Sequence, residues 1–132
     1  MAVVSTKMQD ALNKQINAEM YSAYLYQSMA AYCETLGMKG FANWMNVQAK
    51  EEMSHAMKIY NYILERGGKI IFTAIDAPKT EWENLVDVFE NVYEHEQYVT
   101  SLINNLLSLA IEEKDYATSN MLQWFVAEQV EE

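Results

Sequence analysis

The sequence predicts an all-α fold, a four-helix bundle of two antiparallel hairpins joined by one long crossover. Three observations carry this prediction. Four glycines and one proline in 132 residues are too few breakers for a β-sandwich or a disordered chain. Hydrophobic residues make up 51% of the chain, enough to bury a sizeable core in a single domain. The few breakers also divide the chain into four long segments, each with apolar residues at helical spacing.

Each element has its own signals. Ser5 or Thr6 can cap a first helix running to Gly37. Gly37 to Gly40 reads as a tight turn, and a second helix runs from about Phe41 to Arg66, where Gly67 and Gly68 stop it. Lys69 to Thr80 holds β-branched residues and the single proline, so it reads as an extended connection. Thr80, with Glu83 three residues later, has the form of a capping box opening a third helix that runs to about Ile111. Glu112 to Asp115 is a short turn, and Asp115 can cap a fourth helix running to the end of the chain.

Connection lengths set the expected topology. Short first and third connections join antiparallel neighbours. The 14-residue middle connection, Gly67 to Thr80, reaches ~45–50 Å when extended. A helix of 26–30 residues is ~40–45 Å long. The middle connection can therefore run the length of a bundle and make the second and third helices parallel.

Charge and cysteine usage narrow the function. Asp and Glu number 19 against 9 Lys and Arg, a formal net charge of −10. Such a surface repels phosphate backbones and gathers cations, so no nucleic-acid partner is expected. Cys33 is the single cysteine, which excludes an internal disulfide framework and suggests a reducing compartment. No stretch reaches the ~18 apolar residues of a membrane span, and the N-terminus lacks the apolar run of a signal peptide. The expectation is a cytoplasmic protein with no membrane partner.

Each inward stripe carries polar residues where a core would be apolar. The first helix gives Met8, Leu12, Gln15, Glu19, Ser22, Tyr26 and Met29, and the second gives Phe41, Met45, Gln48, Glu52, His55, Ile59 and Tyr62. The third gives Leu85, Phe89, Val92, Glu96, Val99, Ile103, Leu106 and Ala110. The fourth gives Thr118, Leu122, Phe125, Gln129 and Glu132. Glu19 and Glu52 are 33 positions apart, as are Glu96 and Gln129, and the midpoints, at Thr35/Leu36 and Glu112/Glu113, fall next to the two short turns. Residues equidistant from a hairpin turn lie at similar depth, so each hairpin brings two polar side chains to one level. A shift of 77 residues superposes Glu19 on Glu96, Glu52 on Gln129 and His55 on Glu132, a weak internal repeat.

Isolated buried carboxylates are too costly unless paired or bound to metal. Glu52-x-x-His55 places a carboxylate and an imidazole one turn apart on one face. Mostly oxygen donors with one nitrogen suit Fe, Mn or Zn rather than Cu(I), and Glu52 is placed to bridge two ions. Tyr26, two turns after Glu19, is either a core tyrosine or a redox neighbour of such a site. Glu51, Glu128, Glu131 and Glu132 are either an ordinary acidic face or further ligands. Trp44, Trp82 and Trp124 read as packing residues, and the nine methionines mostly as core fillers.

Four blocks in order carry a resemblance across essentially the whole chain. They are Gln15 to Tyr26 (QINAEMYSAYLY), Gln48 to His55 (QAKEEMSH), Tyr93 to Glu96 (YEHE) and Leu122 to Glu132 (LQWFVAEQVEE). With these, the sequence resembles prokaryotic non-haem ferritins, and a ferritin-like diiron domain is expected over 1–132. The resemblance implies that Glu19, Glu52 and His55 hold a first iron, and that Glu52, Glu96 and Glu132 hold a second with Gln129 close by. It further implies an accessory third iron site at Glu51, Glu128, Glu131 and Glu132, with Tyr26 beside the diiron centre. The implied activity is oxidation of Fe(II) by dioxygen, with ferric mineral deposited inside a homo-oligomeric protein shell.

Bacterioferritins and rubrerythrins carry Glu-x-x-His in both halves, whereas here the second half reads Gln129-Val-Glu-Glu132. A rubrerythrin-like peroxidase is disfavoured by that difference and by the lack of a Cys-x-x-Cys motif. Met53 stands where bacterioferritins ligate haem, but non-haem ferritins also carry Met there, so haem is not expected. Ferritins continue past the point that matches Glu132 and add a short fifth helix. The expectation is therefore a C-terminally incomplete bundle with the fifth helix absent. The alternative function is a non-catalytic shell subunit whose iron site is impaired because the fourth helix is cut.

Overall fold

The computed structural model describes residues 3–131, and among them every regular element is an α-helix: α1 (Thr6–Thr35), α2 (Lys39–Glu65), α3 (Leu85–Glu112) and α4 (Tyr116–Glu131). No helix among these residues is long and apolar enough to cross a membrane. The chain forms two compact units, the first ending at Val88 and the second beginning at Phe89.

In the first unit, α1 and α2 form an antiparallel hairpin. Val4 N–H donates to the Arg66 carbonyl at one end (3.2 Å), and Gln27 Nε2 donates to Asn46 Oδ1 toward the other (2.7 Å). Ser5 caps α1, its hydroxyl accepting from Met8 N–H at 3.0 Å. All seven residues of the expected α1 stripe are buried. On α2 the buried set is Ala42, Met45, Ala49, Glu52, His55, Ala56, Ile59 and Ile63. Phe41 is 42% exposed, so the stripe runs one residue later there than expected. Burial of each large aliphatic side chain contributes about 1.5–3 kcal/mol. Trp82 is buried as expected, while Trp44 and Trp124 are exposed. Met8, Met29 and Met45 are core fillers, whereas Met38, Met53 and Met57 are exposed. Cys33 is fully buried, and burial pushes its thiol pKa up.

Both helices of this hairpin end in the same motif. Met38 N–H reaches Cys33 O and Gly37 N–H reaches Glu34 O, with Gly37 at φ 72°. Gly68 N–H reaches Ile63 O and Gly67 N–H reaches Leu64 O, with Gly67 at φ 73°. The left-handed residue turns the last orphan carbonyls inward, and glycine adopts it without a Cβ clash. Helix α2 starts at Lys39 rather than Phe41 because the first motif closes at Met38. Gly40 is absorbed into a first turn whose N–H groups need no helical partner.

The extended connection runs alongside α1 and in the same direction. Gln9 Oε1 accepts from Lys69 N–H, and Asn13 donates to Lys69 O while accepting from Ile71 N–H. Asn17 donates to Thr73 and Ala74, Ser28 donates to Lys79 O, and Tyr32 donates to Trp82 O. One face of α1 thus satisfies backbone groups that no helix or sheet would serve. Trp82 lies against Tyr32, with ring centroids 5.3 Å apart, and the Lys79 amine sits 5.8 Å from the Trp82 ring.

That anchorage moves the start of α3. Thr80 is not its cap. Asn84 is: Asp87 N–H donates to Asn84 Oδ1 (2.9 Å), and Asp87 Oδ2 accepts from Glu83 N–H (3.0 Å). The contacts to Lys79 and Trp82 keep the chain extended past the capping box expected at Thr80.

In the second unit, Ala110 O accepts from Asp115 N–H and Ile111 O from Lys114 N–H. This is the same closing motif, but its left-handed position is Lys114 at φ 56°. Asp115 then caps α4, accepting from Thr118 N–H at 3.1 Å and from Thr118 Oγ1 at 2.7 Å, as expected. Val99, Ile103, Leu106 and Ala110 on α3 and Thr118, Leu122 and Phe125 on α4 are buried. Leu85, Phe89 and Val92 are only half-buried.

Candidate metal centre

Three predicted ligands converge in the first unit. Glu19 lies mid-way along α1, and Glu52 and His55 lie one turn apart on α2. They are 1%, 0% and 3% exposed, and one ligand atom from each lies within 4.8 Å of the others. His55 turns Nδ1 into this space, 3.4 Å from Glu52 Oε2 and 3.9 Å from Glu19 Oε2.

Glu19 shows the electrostatic problem most clearly. Its Oε1 accepts from Gln15 Nε2 at 3.2 Å. Its Oε2 is buried and receives no hydrogen bond from any donor among the described residues. The Glu19 carboxyl is held well above the usual carboxylate range. Burial is the main cause. The Glu52 carboxyl adds to it, by sharing a hydrogen bond with the protonated form and by repelling the ionised one. His55 and the Gln15 amide pull in the opposite direction. Two carboxylates and an imidazole enclosed together are costly alone and well matched to a divalent cation, which would neutralise the pair and complete Glu19 Oε2. Oxygen donors with one imidazole nitrogen suit Fe, Mn or Zn.

The second unit brings Glu96 and Gln129 together. Gln129 Nε2 donates to Glu96 Oε2 at 3.3 Å and to Thr100 Oγ1 at 2.9 Å. Both Glu96 and Gln129 are half-buried. Next to Glu96, His95 has its pKa lowered by burial, with the Glu96 charge opposing.

The other expected residues are placed as follows. Tyr26 is buried on α1, two turns beyond Glu19. Glu51 is exposed on α2, Glu128 is half-buried on α4, and Glu131 is exposed at the end of α4. Glu132 lies outside the described residues. Gln15 belongs to the expected α1 stripe without an expected role, and Thr100 carries no expectation from sequence. Their signal is spacing: Gln15 stands four residues before Glu19 and Thr100 four after Glu96, on the same helix faces.

Residues 9–132 match the ferritin-like domain family. The chain is 48% identical to the bacterial non-heme ferritin of Staphylococcus saprophyticus over 130 residues, covering 98% of this chain and 78% of that protein. It is equally similar, at 48%, to the bacterial non-heme ferritin of Bacteroides fragilis, covering 82% of it. Among solved structures, an open pore ferritin from the archaeon Archaeoglobus fulgidus superposes with a TM-score of 0.97 at 56% identity, covering 99% of this chain and 80% of that one. The fold class is therefore the expected one, an all-α four-helix bundle.

Proposed function

This chain belongs to the ferritin family, and from that premise we propose that it stores iron, taking Fe(II) as substrate, oxidising it with dioxygen and keeping the ferric product as mineral inside a shell of its own copies. The observation that carries this reading is the buried convergence of Glu19, Glu52 and His55, with Glu19 Oε2 lacking a hydrogen-bond donor among the described residues.

Fe(II) supplies the electrons and dioxygen accepts them. The chain's own residues bind, orient and neutralise. Glu19, Glu52 and His55 Nδ1 receive the first ion, and their two negative charges favour the higher charge of the ferric product. The resemblance to prokaryotic non-haem ferritins implies Glu52, Glu96 and Glu132, with Gln129, for a second ion, and Glu51, Glu128, Glu131 and Glu132 for a third. It likewise implies Tyr26, two turns beyond Glu19 on α1, as a redox neighbour. The −10 net charge draws cations toward the protein. Haem has no part in this reading.

The test is Fe(II)-dependent oxygen consumption by the purified chain. Glu52→Ala is expected to abolish fast oxidation while the chain stays folded. Normal rates in that variant overturn the site. An assembly that forms but consumes no oxygen even as wild type leaves a non-catalytic shell subunit.

A further inference from the structure

Two methionines stand beside the glutamates of the first unit's cluster. Met20 follows Glu19 on α1, and Met53 follows Glu52 on α2. Both line one cavity of about 470 Å3 on the α1–α2 hairpin. Ala23 and Ala49, 8% and 6% exposed, line the same cavity. Ala23 comes four residues after Glu19 and Ala49 three before Glu52, so each lies one turn from a glutamate of the cluster on its own helix. Small solutes enter a cavity of this size readily, since a water molecule's share of the liquid is only ~30 Å3. Met53 is 43% exposed and Met20 is half-buried. Met8, Met29 and Met45 are fully enclosed, and so is Cys33, the chain's single thiol.

We propose that Met20 and Met53 are a modification site, an oxidisable pair that takes up hydrogen peroxide released by iron oxidation before it reaches the rest of the chain. The proposal rests on the iron-oxidation reading above and deepens it. Two Fe(II) ions each give one electron to dioxygen, and two protons complete hydrogen peroxide. A thioether sulfur then donates an electron pair to one peroxide oxygen. The O–O bond breaks, and the second oxygen leaves as water with both protons. The product is methionine sulfoxide, which reductases return to the thioether, so the pair is renewable. Place rather than exposure alone selects these two sulfurs: each belongs to the residue that follows a glutamate of the cluster, and both face one cavity.

Met38 supplies the control. It is as exposed as Met53, 44% against 43%, but stands at the N-cap of α2, roughly 20 Å along the axis from Glu52. The experiment oxidises Fe(II) with dioxygen in the full chain, with catalase present to clear free peroxide, and maps sulfoxide by peptide mass spectrometry. We expect sulfoxide at Met20 and Met53 at several times its level at Met38. Hydrogen peroxide added without iron should oxidise Met38 and Met53 alike. Without catalase, the double variant Met20→Leu, Met53→Leu should consume oxygen at the wild-type rate and release more peroxide per Fe(II) oxidised. Equal sulfoxide at Met38 and Met53 after iron oxidation overturns the proposal. So does an equal preference for Met53 with added peroxide, or an unchanged peroxide yield in the double variant. The mapping uses wild-type chain and decides alone if the variant fails to fold. Wild type that oxidises no Fe(II) overturns the oxidation reading and the proposal with it, whereas wild type that oxidises Fe(II) and keeps both methionines intact overturns the proposal alone.

Discussion

The two hairpins carry corresponding polar residues in very different states. In the first, Glu19, Glu52 and His55 are almost completely enclosed, and Glu19 Oε2 receives no hydrogen bond from a donor among the described residues. In the second, Glu96 is half-buried, its carboxylate accepts from Gln129, and a neutral amide stands at the position that corresponds to Glu52. The first hairpin therefore holds a charge cluster that only a proton or a cation makes tolerable. The second has lowered that cost by substituting an amide and by keeping solvent access. Folding alone would favour the arrangement of the second. The persistence of the first is intelligible as the cost of keeping a strong cation site ready.

A divalent cation that binds only the folded chain should stabilise it by about 2.7 kcal/mol at a hundred times its Kd. Co(II) added anaerobically should therefore raise the melting temperature of wild type and not that of Glu52→Ala. Equal shifts in both would place the cation elsewhere.

Without metal, Glu19→Gln should stabilise the chain by about 1 kcal/mol or more, the low end of the ~1–4 kcal/mol gained where buried ion pairs give way to well-packed hydrophobic residues. Glu96→Gln should change stability much less. A destabilised Glu19→Gln, or an equal gain from Glu96→Gln, would remove the distinction between the hairpins.

The same residue sets a pH dependence. Glu19 has a folded-state pKa above its unfolded value, so between the two the folded chain binds more protons. Its stabilising contribution is complete below the ordinary glutamate range and is lost as pH rises through the raised folded value. In urea titrations of the metal-free chain, the stability of wild type relative to Glu19→Gln should fall with rising pH across that window. A rise would have the wrong sign.

The smallest effect concerns the helix ends. Two close on glycine, but α3 closes on Lys114 at φ 56°. A non-glycine residue there costs roughly 1–2 kcal/mol. Lys114→Gly should recover up to about 1 kcal/mol, part of the gain being offset by the greater freedom of glycine in the unfolded chain. Chemical denaturation measures it, and a loss of stability would mean that Lys114 makes a compensating contact.

Much of this was legible in the residues. The α1 stripe from Met8 to Met29 is buried throughout, because one long helix with no interior breaker keeps a single face. The equal spacing of Glu19 from Glu52 and of Glu96 from Gln129 placed each pair at one depth, and each pair meets within its own hairpin. The helix ends were less legible. Thr80 and Glu83 have the form of a capping box, yet Asn84 and Asp87 cap α3. The local rule lost to Ser28, Tyr32 and the buried Trp82, which hold the preceding segment extended. At Phe41 the expected stripe stood one residue ahead of the observed one, which enters the core through Ala42.

The residues alone specify the four helices, the two short turns and the burial of Glu19 and Glu52. Those follow from periodicity and from the scarcity of breakers, which act within a few residues of each other. The course of the extended connection along α1, and the ring nitrogen that His55 turns toward Glu19, came from tertiary packing. They rest on meetings between residues up to 60 positions apart, whose directions no local pattern encodes.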